Sequence, residues 1–394
     1  LSVSESKDNA DRTMVSSVLE YVQGMSEIKS YSLYGGENKK LTEAIENASN
    51  VNFQMEKRLL PFMALQTIIT KATGVCLVAV SIYFYINNSM SLEDCIMMLI
   101  CAFMMYSALD SAGSFSALIR SVNIAIEKAN SILKIDPMDL NGDDIVPENC
   151  NIDLEDVDFS YDKRKIINNI SLHIEEGTTT AIVGPSGSGK TTLCRLMARF
   201  WDVNSGSIKL GGKDVRDYSM DSMMKNFSFV FQSVYLFEDT VANNIRFGNP
   251  DASMDEVIKV AKKACCHDFI MKLDKGYDTV IGEGGASLSG GEKQRISIAR
   301  AMMKSAPIII LDEATANVDP ENEKELMEAI AALTKEKTVL MIAHRLKTVR
   351  SAKQIFVVDR GRIAQHGTHE ELLKEDGIYR RFVEARSKAL SWKV

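Results

Sequence analysis

The chain has 394 residues, too many for one ordinary domain, so two or more packed units are expected. Apolar residues make up 45% and charged residues 25%, the balance of a globular protein able to bury a sizeable core. A formal net charge of −7 argues against a nucleic-acid binder, because a phosphate backbone demands a basic surface.

The text opens at Leu1-Ser2-Val3 with no initiator Met and no secretory signal, which suggests that an N-terminal portion is missing. Residues 14–60 read as a long polar amphipathic helix with a break near Tyr34-Gly35-Gly36. Two uncharged apolar runs follow, Ala72 to Ile86 and Cys95 to Leu109. Each gives roughly 22 Å of helix, short of a ~30 Å hydrocarbon core. The second continues past Asp110 to Ile119, and the first extends back to Leu59 across Lys71, at about 2.5–3.5 kcal/mol for a lysine at mid-bilayer. The joining segment, Asn87 to Asp94, carries acids and no Lys or Arg, whereas Lys57, Arg58, Arg120 and Lys128 lie outside the runs. That asymmetry predicts membrane helices at about 60–87 and 92–119, with cytoplasmic outer flanks and an external turn. The alternative is a soluble helical hairpin.

Residues 136–150, with Pro137, Asn141-Gly142 and Pro147, read as a linker. Beyond it strands and helices alternate. Ile152-Leu154-Val157-Phe159 has the pattern of a half-buried strand; Ile170 to Ile174, Thr179 to Val183, Ile308 to Leu311 and Val339 to Ile342 have that of buried ones. The fold class predicted for 151–394 is α/β with a largely parallel sheet, following an α-helical membrane-domain fragment. The seven cysteines show no C-x-x-C spacing, and Cys265-Cys266-His267 reads as buried small hydrophobes rather than a metal site. His366-Gly367-Thr368-His369-Glu370-Glu371 reads as a helix start, with Thr368 as cap and Glu371 reaching back.

Gly184-Pro185-Ser186-Gly187-Ser188-Gly189-Lys190-Thr191 matches G-x-x-x-x-G-K-[ST] between an apolar strand and the helical Thr192-Leu193-Cys194-Arg195. Its glycines let backbone N–H groups turn inward as a nest for phosphate oxygens. Lys190 brings positive charge to the β- and γ-phosphates, and the Thr191 hydroxyl suits Mg²⁺. Ile308-Ile309-Ile310-Leu311-Asp312-Glu313 supplies the other half: Asp312 to hold the metal through water, and Glu313, pointing elsewhere, to polarise an attacking water. ATP and Mg²⁺ are the expected cofactors.

Leu288-Ser289-Gly290-Gly291-Glu292-Lys293-Gln294-Arg295, placed shortly before the Asp312-Glu313 strand, resembles the signature of ATP-binding cassette (ABC) proteins, with Glu292 where Gln is commoner. The resemblance implies that Ser289, Gly290 and Gly291 cap the γ-phosphate held by an opposite subunit. Other positions match in order. Tyr161 resembles the aromatic that stacks on adenine. Gln232 resembles the glutamine that senses Mg²⁺ and water and relays to the membrane helices, and His344 the switch histidine at the γ-phosphate. Asp319 matches the inter-subunit loop, although Ala316-Asn317 departs from its commonest form, implying differently tuned cross-talk.

Leu19-Glu20-Tyr21-Val22-Gln23-Gly24 with Ile28-Lys29-Ser30-Tyr31 is similar to the cytoplasmic region between the fourth and fifth membrane helices of exporter-type ABC transporters; Asn243-Asn244-Ile245-Arg246-Phe247-Gly248 and Ile281-Gly282-Glu283-Gly284-Gly285 also look exporter-like. The resemblance covers nearly the whole chain. It implies a membrane-domain part over 1–135, a coupling helix at about 15–23, and a cytoplasmic nucleotide-binding domain. The partners implied are a second half-transporter, identical or different, the lipid bilayer of the plasma (inner) membrane and an unidentified cargo, with no nucleic acid. The competing class is a soluble ABC ATPase working on nucleic acid or ribosomes.

Overall fold

The computed structural model describes residues 2–31, 39–135, 138, 142–285, 288–312, 320–342 and 349–391. They fall into two units, Leu1–Ile135 and Asp136–Val394.

The first unit is helical: α1 (Ser2–Gln23), α2 (Met25–Ser30), α3 (Lys39–Ile86) and α4 (Leu92–Leu133). Gly24 separates α1 from α2. A Cβ there would stand 3.2 Å from the Glu20 carbonyl oxygen, a close approach that favours glycine. Residues 15–23 are the last turns of α1, and the separate short helix is Met25–Ser30. The break expected near Tyr34-Gly35-Gly36 lies outside the described residues. At α4 the chain restarts on Ser91, whose hydroxyl accepts the Asp94 N–H at 3.1 Å, an ordinary N-cap. Ion pairs Lys40–Glu20 and Lys128–Asp8 tie α3 and α4 to α1.

Among the described residues, one helix, Lys39–Ile86, is long and apolar enough to cross a membrane. Leu60, Phe62, Ile68, Val75, Tyr83 and Ile86 on α3, and Ile96, Met97, Ile100 and Met104 on α4, are exposed. In water a soluble helical pair would turn such side chains inward, so these two present apolar faces to something other than each other.

In the second unit, β1 (Ile152–Tyr161), β2 (Arg164–Ile174), β4 (Ser205–Leu210) and β5 (Lys213–Asp214) form an antiparallel sheet in the order β2-β1-β4-β5. Ile152 and Leu154 share a face with Val157 and Phe159 only because a bulge intervenes. The register slips between Leu154 and Val157, where Asp156 takes φ +48° and its N–H is caught by the Ser171 hydroxyl. A six-stranded sheet in the order β12-β11-β3-β10-β9-β6 contains β3 (Thr179–Val183), β6 (Phe227–Val230), β9 (Ile308–Asp312), β10 (Thr338–Ile342), β11 (Gln354–Asp359) and β12 (Arg362–Gly367). All neighbours in it are parallel except β11 and β12. The predicted α/β plan holds for this sheet. The expected strand at 170–174 belongs instead to the antiparallel layer.

The apolar runs are continuous because the parallel strands are buried on both faces. Ala181, Val183, Ile309, Leu311, Val339, Met341, Ile355 and Val357 join one core, against the helices. Ile182, Ile308, Ile310, Leu340, Ile342, Phe356 and Val358 join the other, against the antiparallel sheet and α5 (Lys190–Met197).

Helix α10 (Gly290–Lys304) is held by an amide and a guanidinium. Asn244, 2% exposed on α7 (Val241–Arg246), donates to the Phe237 and Thr240 carbonyls and accepts from Phe237 N–H. Arg300 of α10 donates to the Asn244 carbonyl and side-chain oxygens, each at 3.0 Å, and lies over Phe247. Gly248 lets these elements close, since a Cβ there would sit 2.2 Å from the Arg300 carbonyl oxygen.

The segment expected to be a linker is paired to the domain from Gly142 onward. Asp143 N–H donates to Asp217, Ser219 N–H to Asp143, and Ile145 N–H to the Ser222 hydroxyl. Arg199, which follows α5 at φ +55° and is 3% exposed, donates to the carbonyls of Tyr218 (2.6 Å) and Met138 (2.8 Å) and to Asp202 (3.0 Å). Replacing it by Met removes the donor of the buried Tyr218 carbonyl and of the partly buried Met138 carbonyl. Arg199→Met is expected to lower unfolding free energy by about 2–4 kcal/mol, read as a lower denaturant midpoint for the nucleotide domain. Asp202→Ala, at the exposed end of the same pair, should cost under about 1 kcal/mol. Equal effects would mean that the two carbonyls do not depend on the guanidinium.

Candidate nucleotide site

Parallel strands put their carboxyl ends on one edge, and the candidate residues leave from it. Val183 ends β3 and the loop 184–189 follows; Ile342 pairs with both Ile182 and Asp312; Val230 pairs with Leu311, two residues before Gln232. The described parts of the two motifs, 180 to 312 in sequence, therefore meet through β10. Glu313, Asp319 and His344 lie outside the described residues. Glu313 is joined directly to Asp312, and His344 is two positions beyond Ile342.

The loop is shaped by close backbone approach. Gly184 has φ +150°, and a Cβ there would meet the Val358 carbonyl oxygen at 2.0 Å. Gly189, φ +105°, packs against Ile166 and Ile167 of β2, and the Ser188 carbonyl accepts the N–H of Gly361 in the β11–β12 turn. Pro185, Ser186 and Gly187 are exposed at the tip. The loop is thus wedged between two strand pairs while its tip stays open.

Helix α5 starts without a protein cap. Its N-cap residue, Gly189, offers no side chain, whereas α7, α10 and the helices beginning at Met220, Met254 and His369 are capped by the hydroxyls of Thr240, Ser289, Ser219, Ser253 and Thr368. Ser188 Oγ is buried and has no hydrogen-bond partner among the described residues. Lys190, 7% exposed, curls back to donate to the carbonyls of Gly184 (3.0 Å) and Pro185 (2.7 Å). An uncapped helix start, an orphaned hydroxyl and a lysine held by the loop itself all suit a phosphate group entering the nest. Thr191 Oγ1 stands 3.5 Å from Asp312 Oδ1, a hydroxyl–carboxylate pairing that suits a hard divalent cation shared between them. Thr192 is half-buried on the next position of α5. Burial, and behind it the Asp312 charge, pushes the Cys194 thiol far up, so it stays neutral beside this site.

Tyr161 ends β1, half-buried, with Phe159 and Trp201 edge-on to it at 4.9 and 5.1 Å between ring centres. These contacts hold the ring without stacking on its face. Gln232 is exposed on the loop after β6, and the carbonyl of the preceding Phe231 accepts from Gln294 Nε2 of α10 at 3.2 Å. Gln294 was missed by sequence reasoning, as was the Asn244–Arg300 latch. A long polar residue on an amphipathic helix looks like surface until its partner is seen.

Ser289, Gly290 and Gly291 open α10, with Ser289 and Gly290 exposed. The motif forms a capping box that the sequence reading did not foresee: Glu292 Oε2 accepts from both Ser289 N–H and Ser289 Oγ–H at 2.8 Å, and Ser289 Oγ accepts from Glu292 N–H at 3.3 Å. At the box that was expected, Glu371 likewise accepts from Thr368 N–H at 2.8 Å. Cys266 is buried and Cys265 half-buried; among the described residues no metal-binding group of His, Cys, Asp and Glu is present.

Residues 167–316 match the family model of the ABC transporter domain. The chain is 50% identical over 228 residues to an ATP-dependent lipid A-core flippase of Syntrophus aciditrophicus, covering 58% of this chain and 38% of that protein. It is 46% identical over 231 residues to the protein of the same name from Vibrio vulnificus strain YJ016, covering 58% and 40%. It thus spans about two fifths of the length of these curated relatives. A bacterial Atm1-family ABC exporter solved with ATP bound superposes with a TM-score of 0.87 at 30% identity, over 98% of this chain and 68% of that one. The chain belongs to the ABC transporter family, in its exporter-type, half-transporter group.

Proposed function

We propose that this chain is the nucleotide-binding domain of an ATP-driven exporter together with part of its membrane domain: it binds ATP at the carboxyl edge of the parallel sheet and couples hydrolysis to movement of a cargo across the membrane. The observation that carries the reading is the start of α5 without a side-chain cap, with Ser188 Oγ buried beside it and unpartnered among the described residues. In this reading the loop N–H groups and Lys190 hold the phosphates, Lys190 exchanging its two carbonyl contacts for phosphate oxygens. Thr191 and Asp312 hold Mg²⁺, which neutralises phosphate charge when bound. Gln232 orients the attacking water, Glu313 takes its proton, and His344 donates to the γ-phosphate. Tyr161 offers its open ring face to adenine.

Ser289, Gly290 and Gly291 are proposed to close over the γ-phosphate of a second half-transporter, the same chain or a different one, with Asp319 at the shared interface. ATP binding then favours the closed pair, and hydrolysis resets it. The bilayer, at the inner membrane, surrounds the apolar faces of α3 and α4. The cargo is left open. The flippase names of the relatives make amphiphilic lipids the first class to screen, by stimulation of turnover.

Glu313→Gln in the complete transporter should cut ATP turnover by about 10²–10⁴-fold while nucleotide binding persists; turnover within a few-fold of wild type would remove Glu313 as the base. Ser188→Ala tests the nest separately. Removing a buried unpaired hydroxyl should leave the nucleotide-free domain equally stable or up to about 1 kcal/mol more stable, yet weaken ATP binding several-fold by titration. Weaker folding with unchanged ATP affinity would mean that Ser188 has an internal partner. Carbonate washing of membranes should leave the protein in the pellet; release into the supernatant would favour a soluble ABC ATPase.

A further inference from the structure

Helices α5 and α10 meet their proposed anion differently. The start of α5 has no protein cap, but α10 already holds an anion of its own, the Glu292 carboxylate. Ser289 Oγ has one proton, and it is donated to Glu292 Oε2 at 2.8 Å; the same oxygen takes Ser289 N–H. Among the described residues no Lys or Arg pairs with Glu292, so its charge is not cancelled locally. The side chain is half-buried and the helix start it occupies is exposed. Helix geometry leaves the N–H groups of Gly290 and Gly291 without intrahelical acceptors; Gly290 is exposed to an arriving phosphate, whereas Gly291 is buried.

We propose that Glu292 competes with the γ-phosphate for the start of α10, raising the ATP concentration needed for closure and speeding reopening. This rests on the sandwich reading above. To meet a phosphate, the Ser289 hydroxyl must leave the carboxylate, and the carboxylate then stands beside a second, multiply charged anion. Both steps oppose closure. A glutamine here would accept the same two hydrogen bonds through its amide oxygen and carry no charge. Glu292 acts through Ser289 and is a positioning residue. The cost it imposes is electrostatic, so it fades with salt, whereas a purely structural role for the box would not.

The test uses the complete transporter in lipid nanodiscs, with ATP turnover measured against ATP concentration at low and high salt, and closure followed by a donor–acceptor pair on the two nucleotide domains. Glu292→Gln is expected to lower KM for ATP by about 3–10-fold at low salt, with kcat reduced because reopening slows, and the difference should narrow as charges are screened. Glu292→Ala should also lower KM, with a reduced Tm from loss of the box. Unchanged or higher KM in Glu292→Gln, or a shift indifferent to salt, overturns the proposal. Ser289→Ala keeps the two readings apart. Closure lost in Ser289→Ala while Glu292→Gln behaves as wild type removes only the role of Glu292. ATP-driven closure absent from the wild type, or unaffected by Ser289→Ala, removes the sandwich and the proposal together.

Discussion

The open start of α5 is the constraint around which the nucleotide domain is arranged. A helix leaves its first N–H groups unsatisfied, and most helices here answer them with a serine or threonine hydroxyl. At Gly189 that answer is withheld, and the loop is held from outside instead. Ile166 and Ile167 press on Gly189, the carbonyl of Val358 stands where a side chain on Gly184 would go, and Gly361 bonds the carbonyl of Ser188. The loop thereby keeps its shape without a side-chain cap on the helix it opens. Such a loop is kept in shape by two sheets, which is why the domain needs both.

The same economy places the acids. Asp312 reaches the loop because β10 lies between β3 and β9, with Ile342 paired to Ile182 on one side and Asp312 on the other. Strands buried on both faces have no register freedom to spare, since a one-residue slip would exchange the side chains facing the helices for those facing the second sheet. Precision at the edge is thus inherited from the core. Arg199 extends this toward the first unit's side of the sequence, joining the end of α5 to the carbonyl of Met138.

Much of this was legible in the sequence because the constraints are local. The phosphate loop is a run of glycines and one lysine between a strand and a helix, and backbone geometry dictates those residue types at those places. The capping box at Thr368 was legible for the same reason. What escaped notice depends on partners far along the chain: Gln294 reaches back to Phe231, Arg300 to Asn244, and Arg199 to Met138. Nothing in the text around a buried arginine announces which carbonyls it serves. The bulge at Asp156 and the pairing of the segment from Gly142 onward were likewise invisible, since they are settled by β2, Asp217 and Ser222. Composition read residues 136–150 as a linker because Pro and Gly break helices, and that criterion says nothing about bonds to another element.

Ser289 shows why one motif can carry two meanings. Read as text, Glu292 is a substitution within a signature; read as geometry, it completes a capping box with the serine three residues before it. Both describe the same two side chains, and they conflict over one proton. A hydroxyl that caps its own helix is stable and oriented, which is what an anion site requires beforehand. On the proposed reading, the carboxylate that holds it there is what a phosphate would displace. A site that opens and closes repeatedly needs its closed state to be favourable but not deep, because a ligand shifts an equilibrium only by its differential affinity for the two states. An internal carboxylate at this helix start lowers that difference without removing a donor, a milder change than losing the serine or a glycine.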